Sequence, residues 1–109
     1  MILDFNNMQE AAFEHFKGGE GTTWGKMFFD GVNRVLHGRL PKGSSIGMHT
    51  HEDSCEVIYV LSGEGNMLME GQEEILRPGM ATYCPKGGTH SLRNFCEEDL
   101  VFLAVVPQQ

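Results

Sequence analysis

Apolar residues along this chain recur in short bursts, most of them alternating with polar ones and separated by glycine-containing turns. Alternation at period two marks half-buried strands. Residues 22–29 and 32–40 read as two such strands, joined by a turn at Asp30 and Gly31. Further strands are expected at about 44–50, 56–62, 66–70, 73–76, 80–84, 89–95 and 100–106. Only near the N-terminus does the period change. Met8, Ala12, Phe13 and Phe16 fall near helical spacing, which predicts a short amphipathic helix over about 8–16 with His15 on its outer surface. Regularly spaced short strands with little helix mean an all-β antiparallel sandwich or barrel. With 109 residues and neither internal repeat nor low-complexity linker, the chain fits a single domain, an N-terminal helix or arm over about 1–20 and a barrel over about 22–107.

Two segments break the alternation. Residues 57–61 and 100–106 are apolar at successive positions, although an antiparallel strand needs only one apolar face. The expectation is a homodimer that buries the outer face of at least one of them; the alternative is cover by the chain's own N-terminal helix. Parity also orients residues 32–40. Val32, Arg34, Leu36, Gly38 and Leu40 form a more apolar set than Asn33, Val35, His37 and Arg39, so the first set is expected to face inward. Arg34 inside a barrel could clamp a substrate carboxylate through two parallel hydrogen bonds; its other readings are an ion pair with an acidic neighbour or escape at the rim. His37 and Arg39 are then solvated or interfacial. The same parity points Met67 and Met69 inward, as a soft pocket wall for a small organic ligand or as core filling.

Charge narrows the range of partners. Fifteen acidic against eight basic residues give a net charge of −7, which repels a nucleic-acid backbone, and no length is left for a separate DNA-reading unit. No stretch approaches the ~18 to 20 apolar residues of a membrane span. Met1, Ile2, Leu3 and Asp4 carry no basic region or long apolar run, so no secretory signal is expected and the cytoplasm is the expected compartment. Cys55, Cys84 and Cys96 are odd in number and lack a CxxC pair, which argues against a disulfide scaffold and for small buried side chains.

The chemistry concentrates in four residues. His49, His51 and Glu56 lie between Gly43 and Gly63, and His90 lies in a second frame running from Gly79 through Pro85 and Gly87 to Asn94. Three imidazoles and one carboxylate are the donor set for one borderline divalent ion: Mn, Fe, Co, Ni or Zn. Residues two apart on a strand face the same way, with backbones roughly 6.6 Å apart, so His49 and His51 can lean onto one ion at about 2.1 Å. Five residues separate His51 from Glu56, so Glu52, Asp53 and Ser54 must break the pleat for the carboxylate to return to that side. Asn94, four residues beyond His90 and so on its face, could orient a ligand or a bound water, or satisfy backbone groups at the strand end.

Both frames resemble, position for position, the two motifs of the cupin superfamily, residues 43–63 the first and 79–94 the second, with residues 64–78 between them. One departure is Met80, where many relatives carry an acidic residue; it affects a turn and not the ligands. The resemblance implies a double-stranded β-helix, the jelly-roll barrel, and small cupins commonly pair through sheet faces or edges. It also implies a range of reactions: dioxygenation, decarboxylation, isomerisation or epimerisation, and lyase chemistry. A divalent ion with neutral imidazoles and one glutamate sums to about +1, which favours an anionic ligand, and four protein donors leave room for it. The expected function is a metal-dependent enzyme acting on a small anionic metabolite. The alternative is a metabolite-binding or sensor protein that uses the ion as an anchor, and a third reading is a plain structural barrel.

Overall fold

Alternating burial along the strands becomes two facing sheets in the computed structural model, which describes residues 1–109. The larger sheet contains β1 (Ala11–Glu14), β2 (Thr22–Phe29), β3 (Asn33–Leu40), β10 (Leu100–Pro107), β5 (Glu56–Ser62) and β8 (Ala81–Cys84), in that spatial order. The smaller runs β4 (Ser45–Thr50), β9 (Thr89–Arg93), β6 (Gly65–Met69) and β7 (Gln72–Leu76). Every ladder is antiparallel. The order is that of a jelly roll, as expected, and nine of the ten strands lie where the alternation predicts them, within a residue or two.

The two inner faces make one core. Leu36, Leu40, Ile58, Val60, Leu100, Phe102 and Ala104 from the larger sheet meet Ile46, Met67, Leu76 and Leu92 from the smaller. Phe102 reaches full burial because its partner across the ladder is Gly38, where a Cβ would lie 2.7 Å from a carbon of the Phe102 ring. The inward parity predicted for residues 32–40 therefore includes a glycine for a packing reason. No helix is long and apolar enough to cross a membrane.

The helix expected over residues 8–16 is not formed. Residues Ala11–Glu14 instead add an edge strand, pairing Phe13 with Thr23 and Ala12 with Trp24, and two single 3-10 turns flank it at Phe5–Asn7 and Phe16–Gly18. A helix of about nine residues is marginal alone, whereas an edge strand gains a ladder and keeps its apolar contacts. His15, exposed as expected, takes a left-handed backbone conformation (φ 49°) that folds the chain back, so that the rings of Phe13 and Phe16 meet at 5.3 Å. The helical spacing of those phenylalanines arises from a strand followed by a reversal.

Nothing in the N-terminal segment covers the outer face of β5. Ile58 and Val60 are buried, while Val57, Tyr59 and Leu61 are 39%, 43% and 44% exposed. Val57 lies beside Tyr83 of β8, itself largely exposed, so the apolar strip continues across two strands. On β3, His37 is half-buried with its ring near that of Phe5, and Arg39 pairs with Glu10 and Asp99.

Candidate metal centre

The four candidate donors come from both sheets. His49 near the end of β4 is the ladder partner of His90 on β9, so the two side chains emerge together from the smaller sheet. His51 lies just past β4, where its backbone is clamped to the Pro85–Gly88 turn: its N–H donates to Gly88 O at 2.9 Å, and Gly87 N–H donates to His51 O at 2.6 Å. That is the local reason for the glycines of the second frame, and Gly87 has φ 87°. Residues 52 and 53 form a bend, and Glu56 opens β5 in the opposite sheet. The break in pleat required by the spacing is thus where Glu52, Asp53 and Ser54 lie.

One ligand atom from each of the four side chains lies within 4.8 Å of all the others. His51 Nε2 is 2.9 Å from Glu56 Oε1, 3.0 Å from His90 Nε2 and 3.2 Å from His49 Nε2. Glu56 Oε1 is 2.8 Å from His90 Nε2 and 4.0 Å from His49 Nε2. Donors at right angles on an ion with 2.1 Å bonds stand about 3.0 Å apart, and opposed donors about 4.2 Å. A tetrahedral ion would set every pair near about 3.4 Å. The four short separations and the one long one therefore fit part of an octahedral shell, which takes six ligands and needs two beyond the protein's own. The mutual distances of the four donors suit one ion.

Protonation is set by neighbours. His49 Nδ1 donates to Gly47 O at 2.7 Å; since a carbonyl only accepts, Nδ1 carries the proton and the Nε2 lone pair of the neutral ring faces the cluster. His51 Nδ1 lies 2.9 Å from Ser54 Oγ, a hydroxyl that can donate or accept and so serves either tautomer. His90 is 2% exposed and its Nδ1 has no partner, so this ring is oriented by packing and by the contacts of its Nε2 with Glu56 Oε1 and His51 Nε2. Burial pushes His49 below its ordinary value, more than its hydrogen bond to Gly47 raises it, and this keeps the ring in its ligating form. For Glu56, burial pulls upward, but hydrogen bonds from His51 and His90 outweigh it and hold the carboxyl down at about 2. The carboxylate is charged at any physiological pH.

The cluster sits on one wall of a cavity of about 280 Å³. Arg34 lines that cavity, facing inward as its parity predicts, with its guanidinium 4.6 Å from the centre of the Phe29 ring. Met67 and Met69 do not line it. Both face inward, as partners of Leu92 and His90, but Met67 is core and Met69 packs against that core. Asn94 is likewise away from the cavity lining: its amide N–H groups donate to Leu40 O and Glu98 O, both at 2.8 Å, and its Oδ1 accepts from Cys96 N–H. Its strand-end reading describes this role. Sequence parity gave no sign of Ser54, of the Gly47 carbonyl, or of Phe16 and Lys17, which reach the cavity only because of the chain reversal at His15. Cys84 lies opposite Glu56 on β8 and is fully buried, and all three cysteines are unpaired.

The chain is similar to known proteins in sequence and fold. Residues 36–106 match the sequence profile of the family described as Cupin domain. An oxalate-binding protein of Thermotoga maritima is 40% identical over 68 residues, covering 62% of this chain and 56% of that protein. Quercetin 2,3-dioxygenase of Bacillus subtilis is 39% identical over 64 residues, covering 59% of this chain and 19% of that enzyme. The chain thus matches little more than half the length of the first relative and a fifth of the second. Among solved structures, one described as a predicted oxalate decarboxylase of Thermotoga maritima superposes with a TM-score of 0.93 at 28% identity over 100% of both chains. The cupin domain of Cnp3 from Schizosaccharomyces pombe superposes at 0.75 over 80% of this chain and 61% of that one; at 11% identity this likeness concerns the fold alone.

Proposed function

The chain belongs to the cupin family, and from that premise we propose that His49, His51, Glu56 and His90 hold one divalent metal ion (Mn, Fe, Ni, Co or Zn) and that the protein is an enzyme acting there on a small anionic metabolite. The observation that carries this reading is the set of separations among Glu56 Oε1 and the three Nε2 atoms, which matches four edges and one diagonal of an octahedron in a place where His49 is already fixed in its ligating tautomer. When bound, such an ion polarises an oxygen ligand and lowers the pKa of water on it.

The remaining work belongs to the chain. Gly47 and Ser54 fix two of the rings, Glu56 supplies the one negative charge among the four donors, and Ile58, Leu92, Ala104 and Val106 line the cavity with apolar surface that limits water. Arg34 supplies a cation for the substrate's charge. A reaction of the dioxygenase, decarboxylase, isomerase or lyase type is compatible with this set, since fold and donors are common to all four.

The second reading, a binding or sensor protein without turnover, is favoured by one relative, the oxalate-binding protein of Thermotoga maritima. Mass spectrometry of the small molecule that co-purifies with the protein, followed by incubation of that molecule with protein loaded in turn with Fe, Mn, Ni and Zn, separates the two. Conversion with any metal supports the enzyme; tight binding with no conversion by any of them removes it.

The exposed row Val57, Tyr59 and Leu61 beside Tyr83 supports a homodimer through the outer face of the larger sheet. Unpaired Cys55, Cys84 and Cys96 support a reducing compartment such as the cytoplasm.

A further inference from the structure

The two arginines of β3 have different surroundings. Arg39 is held by Glu10 at 2.9 Å and Asp99 at 3.1 Å and lies over the Trp24 ring. Arg34 faces the cavity and forms no ion pair, and its Nε is buried without a hydrogen-bond partner. A buried donor without an acceptor is costly, and a guanidinium presents a planar fork that suits a carboxylate.

Strand register fixes where this cation stands. Val106 is the ladder partner of Arg34, and on its other side β10 runs with β5 so that Val105 meets Val57 and Ala104 meets Ile58. Continued by one residue, that register sets Glu56 beside Val106. Arg34, Val106 and Glu56 thus form one row across three strands on the inner face, with Arg34 and Glu56 rooted about 10 Å apart. The next row is Leu36, Ala104 and Ile58. All six line the cavity, so an apolar floor separates the cation from the four-donor cluster.

We propose that the cavity takes a ligand with two anionic ends, one carboxylate at the His49, His51, Glu56 and His90 centre and the other on Arg34, joined by a short apolar spacer that lies over Val106 and Ala104. This rests on the metal-centre reading above and adds the length and the second end of the ligand. The charges agree locally rather than as a sum over the cavity: the centre at about +1 faces one carboxylate and Arg34 the other, while Lys17 on the lining is offset by Glu52 and Asp53. Size agrees as well, since 280 Å³ approaches the ~300 to 1,000 Å³ of sites that enclose whole drug-sized ligands. Oxalate, whose two carboxyl carbons are directly bonded, fills little of this space and leaves Arg34 unpaired.

Titration calorimetry on Mn²⁺-loaded protein with oxalate, glutarate, phthalate and butyrate tests the proposal. Glutarate or phthalate is expected to bind at least about tenfold more tightly than butyrate, and Arg34→Met to weaken the spaced dicarboxylates by about 10- to 100-fold while leaving oxalate and butyrate within about threefold. Spaced dicarboxylates no tighter than butyrate in the wild type, a ranking that needs no variant, would overturn it. So would an Arg34→Met protein, shown folded by its melting curve, that binds all four ligands as before or weakens all four alike. Mn²⁺ that fails to bind at all overturns the metal reading together with this one, whereas Mn²⁺ bound at the usual level with no preference for spaced dicarboxylates overturns this one alone.

Discussion

The carbonyl oxygen of Gly47 accepts a hydrogen bond from Nδ1 of His49 at 2.7 Å. That contact aims the His49 lone pair at the cluster, and it has its own support. The peptide at Gly47 lies against the backbone of the turn that includes Lys17 and Gly18, so close that a Cβ on Gly47 would stand 2.8 Å from Gly18 C and 2.7 Å from Gly19 N. The turn, the glycine and the ligand form one stack.

Gly47→Ala should therefore act at a distance. The methyl must push the turn or the strand aside, shifting the carbonyl that orients His49; outer partners of metal ligands are typically worth 10- to 100-fold in affinity, and a loss of about tenfold is expected, with a lowered Tm. Competition against a fluorescent chelator measures it. Unchanged affinity would separate His49 orientation from this contact.

Ser54→Ala removes the hydroxyl that faces His51 Nδ1. A further loss of about tenfold in metal affinity is expected, with little change in the melting temperature of the metal-free protein, because His51 itself stays packed. A larger loss of folding stability than of affinity would count against an orienting role.

Acid should weaken the metal-free protein in two windows. His49 has a folded value below its ordinary 6.5, so the unfolded chain takes up a proton there first, and stability falls as pH drops below about 6.5. Glu56 is lowered from 4.5 to about 2, so its contribution is complete above about 4.5 and is lost as pH falls towards 2. Urea melts at a series of pH values read this out; Glu10 and Asp30 are lowered as well and share the lower window, so Glu56→Gln should reduce the loss there without abolishing it, and by removing a charge that raises His49 it should lower that ring further. A variant that keeps the full loss between pH 4.5 and 2 would contradict the assignment.

Tyr59→Glu sets a charge in the middle of the exposed apolar row on β5. Sedimentation of the wild type should show a dimer and that of the variant a monomer with the wild-type far-UV spectrum. A wild type that sediments as a monomer across micromolar concentrations removes the dimer.

Much of the fold was legible because period-two alternation is a local property of a strand: the bounds 22–29 and 56–62 coincide with Thr22–Phe29 and Glu56–Ser62. The convergence of the four candidate donors was legible too, from residue type and spacing, and parity placed Arg34 on the inner face, where it lines the cavity. Parity gives a face but not what fills it. Met67 and Met69 face inward as predicted and share rows with Leu92 and His90, which line the cavity, yet Met67 is packed into the core and Met69 lies against that core. Asn94 shares the face of His90, but its amide is spent on Leu40 and Glu98 carbonyls brought near only by the folded loops. The N-terminal helix failed because Phe13 and Phe16 have helical spacing for another reason, the left-handed turn at His15. Single-residue reversals at non-glycine positions leave no mark in a hydrophobic pattern.

Metal content tests the central claim most directly. Protein purified without added metal and then equilibrated with one divalent ion should carry about one ion per chain by plasma mass spectrometry, and His90→Ala and Glu56→Gln, each confirmed folded, should retain less than about a tenth of that. A wild type without stoichiometric metal, or variants that keep the full complement, would contradict it.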